Sequence, residues 1–283
     1  MQEGYWIIRT YEAGSVGEKI KFWVPGTRPS KVSRRCKSEI KKQEQNEYSA
    51  VKQLARLINA NFTKGDFLLG LDYSESGMQK LEQWAEQENE DFVSAPEEER
   101  LEMIRTAAER EMRLVLRRVK RELSQSADLK YIAVTSDMDG DTGEFVRVHH
   151  HLIIPKEAKE AFVKKWGDLG GVSWNILSEQ DDYTPIAEYM LRQVRRIPDA
   201  KKYVSSRNLI RPQPRDRVAV SDAELRVPQG AKLLHRNEFK PGRPQYIRYT
   251  LPESRRRSPS GVLHTSDFVA ASAQSAQGQR VRS

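Results

Sequence analysis

The chain has a single cysteine, Cys36, among 283 residues. An internal disulfide framework is therefore excluded, and one unpaired thiol fits a reducing compartment. No apolar run approaches the length of a membrane span, and the apolar core of Met1–Arg9 is too short for a secretory signal. The expectation is a cytoplasmic protein with no membrane partner. A nucleotide-driven motor is not expected either. Gly14-Ser-Val-Gly-Glu-Lys19 has the residue types of a phosphate loop but misses the spacing Gly-x-x-x-x-Gly-Lys-Ser/Thr. Histidine is scarce, with five in all, yet three of them are consecutive: His149, His150 and His151.

What is abundant is positive charge. Lys and Arg outnumber Asp and Glu 48 to 40, for a net charge of +8, which favours a polyanionic partner. The excess is concentrated between Arg192 and Arg217, where nine basic residues face two acidic ones. Arg195, Arg196, Lys201, Lys202, Arg207 and Arg211 in this stretch are the candidate phosphate-backbone contacts.

Periodicity outlines the organisation. Residues 1–45 read as a basic arm or peripheral strands. Val51, Leu54, Leu57 and Ile58 mark a helix over Tyr48–Asn61, and Phe67–Tyr73 is strand-like. Leu101 to Leu123 repeats apolar residues at three- and four-residue steps, as a long amphipathic helix does. Tyr131–Thr135 is a strand, and Asp137–Gly143 supplies turn residues for a hairpin. A helix over Lys156–Trp166 and a strand over Val172–Leu177 follow. Thr184-Pro185 then opens a helix expected to reach Arg196. This order predicts an α+β fold with an antiparallel central sheet and flanking helices, over residues 46–215. Residues 216–252 read as a peripheral extension with one strand at Gln245–Thr250, and 253–283 as a disordered tail.

The histidines lie in Phe145-Val-Arg-Val-His-His-His-Leu-Ile-Ile154, a β-rich run. Alternation sends His149 and His151 to one face and His150 to the other. Two imidazoles side by side on a stiff strand are half of a metal site. By themselves they leave zinc hydrolysis and Mg²⁺ or Mn²⁺ phosphoryl chemistry equally open. Downstream, Tyr189, Arg192, Gln193 and Arg196 share a helix face. A tyrosine among cations has the makings of a nucleophile, because positive charge favours its phenolate and holds a phosphate in line.

Three stretches in this order resemble the histidine–hydrophobic–histidine (HUH) endonucleases, specifically rolling-circle replication initiators of filamentous-phage and plasmid type. They are Phe67-Leu-Leu-Gly-Leu-Asp-Tyr73, Val148-His-His-His-Leu152 and Tyr189-Met-Leu-Arg-Gln193, and Tyr203–Leu209 resembles the segment that follows in that group. The resemblance spans residues 40 to 215 and implies an HUH/RRM-like sheet, a variant of the ferredoxin-like arrangement. It also implies His149 and His151 as ligands of a divalent Mg²⁺ or Mn²⁺, Tyr189 as nucleophile with Arg192 beside it, and Tyr73 near the DNA. The family adds a carboxylate or amide as third ligand. Asp137 is the choice here because it follows the Tyr131–Ser136 strand directly, with Asp139, Asp141 and Glu144 as competitors. Two departures stand out: Arg192 where a lysine is common, and His150 where the middle residue is usually hydrophobic. The implied activity is nicking and rejoining of single-stranded or hairpin origin DNA through a 5′-phosphotyrosine. Host helicase and polymerase in a bacterial cell would act as partners. A conjugative-type relaxase or single-tyrosine transposase would use the same residues. A zinc hydrolase and a non-catalytic DNA-binding protein are the alternatives of different class.

Overall fold

A computed structural model describes residues 4–26, 39–123, 128–195, 201–252 and 255; Arg196 and the tail, apart from Arg255, lie outside them. The chain opens with β1 (Tyr5–Ala13) and β2 (Val16–Val24), an antiparallel hairpin. Its two-residue turn places Gly14 at φ +58°, where a side chain would strain the backbone. Then come α1 (Glu39–Asn61), β3 (Phe67–Tyr73), α2 (Glu75–Glu88), α3 (Glu97–Leu123), β4 (Ile132–Met138) and β5 (Phe145–Ile154). A short 3-10 turn leads into α4 (Lys159–Trp166), β6 (Gly170–Ile176) and α5 (Thr184–Arg192). The strands β7 (Val204–Ser205), β8 (Arg215–Ala219), β9 (Leu233–Arg236) and β10 (Gln245–Thr250) complete the order.

The fold is α+β, with two antiparallel five-stranded sheets and flanking helices. The first, in the order β6-β3-β5-β4-β7, has the histidine strand at its centre. One face buries Leu69, Leu71, Leu152 and Ile154 against α2, α3 and α4; the other buries Ile132, Val134 and Ile153 against α1 and α5. Both sides of β5 are therefore covered over its second half, which explains the continuous apolar run Leu152–Ile154.

The second sheet, in the order β8-β1-β2-β10-β9, revises the expected domain organisation. Residues 5–24 are no arm, and residues 216–252 are no separate extension, because strands from the two ends of the chain pair with each other. The sheet docks on α1 through a buried ion pair, Arg56 to Glu18 at 2.7 Å, with the Arg56 guanidinium stacked 3.6 Å from the Tyr11 ring. Helix α2 is a further difference: it buries only Gly77, Leu81 and Ala85, too few apolar residues to mark its face, and Ser74 Oγ caps it by accepting from Gly77 N. Among the described residues, no helix is long and apolar enough to cross a membrane.

Candidate metal and tyrosine site

Register fixes the geometry of the histidine triplet. His149 and His151 lie opposite Asp72 and Gly70 of β3 and opposite Ser136 and Val134 of β4. His150 turns to the α3 side, where it is fully buried. Its Nε2 contacts the Tyr73 hydroxyl at 3.0 Å and its Nδ1 the Thr135 hydroxyl at 3.1 Å. Burial, then the neighbouring His149 and His151 and the Arg105 charge, push its pKa down to about 3. It is a neutral packing residue, as strand parity predicts.

On the other face, His149 Nε2 and His151 Nε2 stand 3.2 Å apart, and Gln193 Oε1 lies 3.3 Å from the first and 3.2 Å from the second. His149 Nδ1 faces the Arg147 carbonyl at 3.0 Å, so it carries the proton and leaves Nε2 with its lone pair. Gln193 Nε2 donates to the Tyr189 carbonyl at 3.4 Å, which turns Oε1 inward as an acceptor. Only His151 has a proton to offer, and one proton cannot satisfy two acceptors well. A shared cation would satisfy all three donors. Ligands about 2.1 Å from a common ion at tetrahedral or octahedral angles stand about 3.0–3.4 Å apart, which matches the observed edges. His151 favours the unprotonated form that a ligand needs, its pKa lowered by burial first and the His149 charge second. Beside His149, Ser136 Oγ is buried without a hydrogen-bond partner among the described residues.

Gln193 is the residue that sequence reasoning placed on the tyrosine face without giving it a role. The signal was its i+4 spacing from Tyr189. Helix α5 stops at Arg192 rather than Arg196, and Gln193 is its C-cap, with φ −92° and ψ 5°. The cap is gripped by the β4–β5 hairpin: Met138 N donates to the Gln193 carbonyl at 3.3 Å. Gly140 leaves room for this contact, since a Cβ there would come within 3.0 Å of Arg192 Nε and 3.2 Å of Gln193 Cγ. The other end of α5 is held by Asp182, which accepts from Thr184 N at 2.9 Å and pairs with Arg248 of the second sheet at 2.9 Å. The helix is thus fixed at both ends by different sheets. Tyr189, 42% exposed, presents its ring edge-to-face to His151 with centroids 5.2 Å apart.

Other expectations need correction. Asp137 does not reach the histidines. It turns towards α3, 4% exposed, and pairs with Arg195 at 2.7 Å and Arg105 at 3.8 Å. The parity that separates His150 from its neighbours separates Asp137 from Ser136 in the same way. Asp139 accepts from Asp141 N and Thr142 N in the hairpin turn, and Asp141 pairs with Arg192 at 3.4 Å. Arg195 is a partly buried clamp rather than a DNA contact, bound also to Glu102 at 3.1 Å and stacked 4.6 Å from the Phe145 ring. Tyr73 is 3% exposed, so it cannot meet DNA. Lys202 is partly buried and lies 3.7 Å from Glu47, whereas Lys201, Arg207 and Arg211 are exposed. Arg192 is exposed three residues from Tyr189, and its surface pair with Asp141 is weak enough to be exchanged for a phosphate.

Asp72 places a carboxylate on the histidine face, yet no group of three His, Cys, Asp or Glu side chains converges as a metal site among the described residues. The converging set is two imidazoles and an amide. Comparison of the chain with protein-family models, with curated proteins and with solved structures found no match.

Proposed function

We propose that this chain nicks and rejoins single-stranded DNA through a tyrosine–phosphate bond, and so initiates rolling-circle replication. The observation that carries the reading is the convergence of His149, His151 and Gln193 beside the exposed ring of Tyr189. A nucleophilic hydroxyl next to a neutral nitrogen and oxygen donor set is the equipment of phosphodiester transfer. His149, His151 and Gln193 would hold a divalent ion. When bound, it supplies positive charge to the scissile phosphate and the departing oxygen. Oxygen and imidazole donors without thiolate suit Mg²⁺ or Mn²⁺.

The chain's own residues define the rest. Tyr189 Oη attacks phosphorus as its proton leaves to solvent. The P–Oη bond forms, and the bond from phosphorus to the 3′ oxygen breaks. The 3′ oxygen takes up a proton and becomes a free primer end. The enzyme keeps the 5′ phosphate on Tyr189, and reversal of the same step rejoins the strand. Arg192, three residues along the helix, is within reach of the phosphate and remains charged throughout, so it binds rather than shuttles protons.

The test is adduct formation with single-stranded origin DNA and Mn²⁺, read by denaturing electrophoresis. A denaturation-resistant protein–DNA species is expected from the unaltered chain and from neither Tyr189→Phe nor the His149→Ala/His151→Ala variant. An adduct on Tyr189→Phe refutes the nucleophile, and one on the double histidine variant refutes the metal site.

A further inference from the structure

The second sheet carries cationic chemistry that cleavage at Tyr189 does not use. Its face away from α1 is covered by residues 220–232, whose Leu225 packs on Ile8, Ile247 and Tyr249. Between this cover and strands β1, β2 and β8 lies a cavity of about 510 Å³, a volume typical of specific ligand sites. Ile8, Leu225 and Val227 give it an apolar side; Lys19, Lys21 and Arg217 give it a basic one, and Arg226 also lines it.

The charges there do not cancel. Lys21 pairs with Asp222 at 2.9 Å, and Glu224, which also lines the cavity, pairs with Arg236 at 2.6 Å. Lys19, Arg217 and Arg226 have no carboxylate partner among the described residues. Lys19 Nζ is partly buried, donates to the Arg226 carbonyl at 2.8 Å and lies 5.6 Å from the Tyr249 ring. Burial first, then the charges of Arg217 and Arg255, hold its pKa below the usual lysine value. Cations packed without counter-charge gain from an anion seated among them.

The surroundings favour a polymeric anion. Lys19 and Arg215 flank Thr10 on the same sheet face. Upstream, Lys201 is exposed just before β7, an edge of the histidine sheet, and Arg207 and Arg211 are exposed between β7 and β8, an edge of the second sheet. None of the three has a carboxylate partner among the described residues, and Asp216 is neutralised by Arg9 at 2.6 Å. A free nucleotide would fill the cavity but leave this track unused.

We infer that the cavity is the far anchor of a second DNA contact, holding a backbone phosphate of a strand that follows residues 201–217 from one sheet to the other. The inference rests on DNA as the substrate but not on nicking. It is tested by anisotropy of fluorescein-labelled single strands of about 10 and about 40 nucleotides, in EDTA, over a range of NaCl. With that one phosphate contact removed, Lys19→Gln/Arg217→Gln should reduce the magnitude of the slope of log K against log salt by about 0.7 on the long strand. The short strand should bind as before, the melting temperature should hold, and Lys19→Arg/Arg217→Lys should restore the slope. Equal slopes for variant and unaltered chain on the long strand overturn the anchor. So does calorimetric binding of free dAMP that the variant loses while its long-strand slope is unchanged, since the cavity would then be a nucleotide site. Adduct formation on the short strand is read separately, so nicking can fail while the anchor stands.

Discussion

Replacing Arg195 by methionine tests how the site is held. Asp137 and Arg195 have side chains only 5% and 12% exposed, and their 2.7 Å bond joins the end of β4 to the chain two residues beyond Gln193. Removing the guanidinium leaves a carboxylate buried with one oxygen, Oδ1, already lacking a hydrogen-bond partner. Breaking a buried pair from one side costs about 3–5 kcal/mol. Arg105 remains 3.8 Å from the same carboxylate and offsets part of that, so about 3 kcal/mol is the working figure. Denaturant unfolding measures it. Asp137→Leu/Arg195→Met removes both charges and fills the space with apolar groups, and should recover most of the loss. The pair of variants also discriminates between third ligands by Mn²⁺ calorimetry. If Gln193 is the ligand, the double variant binds Mn²⁺ within a few fold of the unaltered chain. A single-variant loss below about 1 kcal/mol, or a double variant no more stable than the single, refutes the clamp. Abolished Mn²⁺ binding in the stable double variant returns Asp137 to the metal.

Three further outcomes follow from the same geometry. Gln193→Ala should weaken Mn²⁺ binding by more than the about 10–100-fold that outer-shell changes cost, with little change in unfolding free energy; calorimetry that finds unaltered affinity removes Gln193 from the site. Gly140→Ala pushes a methyl towards Arg192 and Gln193, so it should reduce Mn²⁺ affinity and adduct yield together while the fold persists, as circular dichroism would show. His150, held neutral with a pKa pushed down to about 3, takes up a proton on unfolding below its ordinary value near 6.5. Its contribution is therefore complete above pH 6.5 and falls by about 1.4 kcal/mol per unit as pH drops towards 3. The stability difference between the unaltered chain and His150→Phe should shrink across that window, and parallel pH curves would contradict the assignment.

The parts of the fold legible in the sequence were those where one physical signal dominates. Strand β3 follows from the run Phe67–Tyr73, α3 from its apolar stripe, and the opposed directions of His149 and His150 from two-residue alternation. Helix α2 was not legible because Leu81 is its only large buried side chain. The second sheet was not legible because its partners lie at opposite ends of the chain. Nothing in Val16–Val24 alone announces that Gln245–Thr250 will pair with it. Such long-range pairings are settled by packing on α1, through Glu18 and Arg56, rather than by local propensity. Basic residues were legible as charge but not as exposure: Arg195 and Arg211 look alike in the sequence, and only one faces water.

Asp137 shows why ligand choice by residue type misleads. A carboxylate at the end of the strand beside the histidines is the obvious hard donor, yet a buried carboxylate must be compensated wherever it points, and Arg105 and Arg195 already compensate this one. The neutral amide of Gln193 takes the inward position instead. The consequence is electrostatic. Two imidazoles and an amide would cancel none of a bound cation's charge, although Asp72, a carboxylate on the same face, lies close enough to act on His151. Arg192 adds a cation three residues from Tyr189, and Asp139 and Asp141 of the hairpin are spent on the turn and on Arg192 itself. On the proposed function, a site built of neutral donors would give up some affinity for a divalent ion and would keep more positive field for an anionic strand at Tyr189.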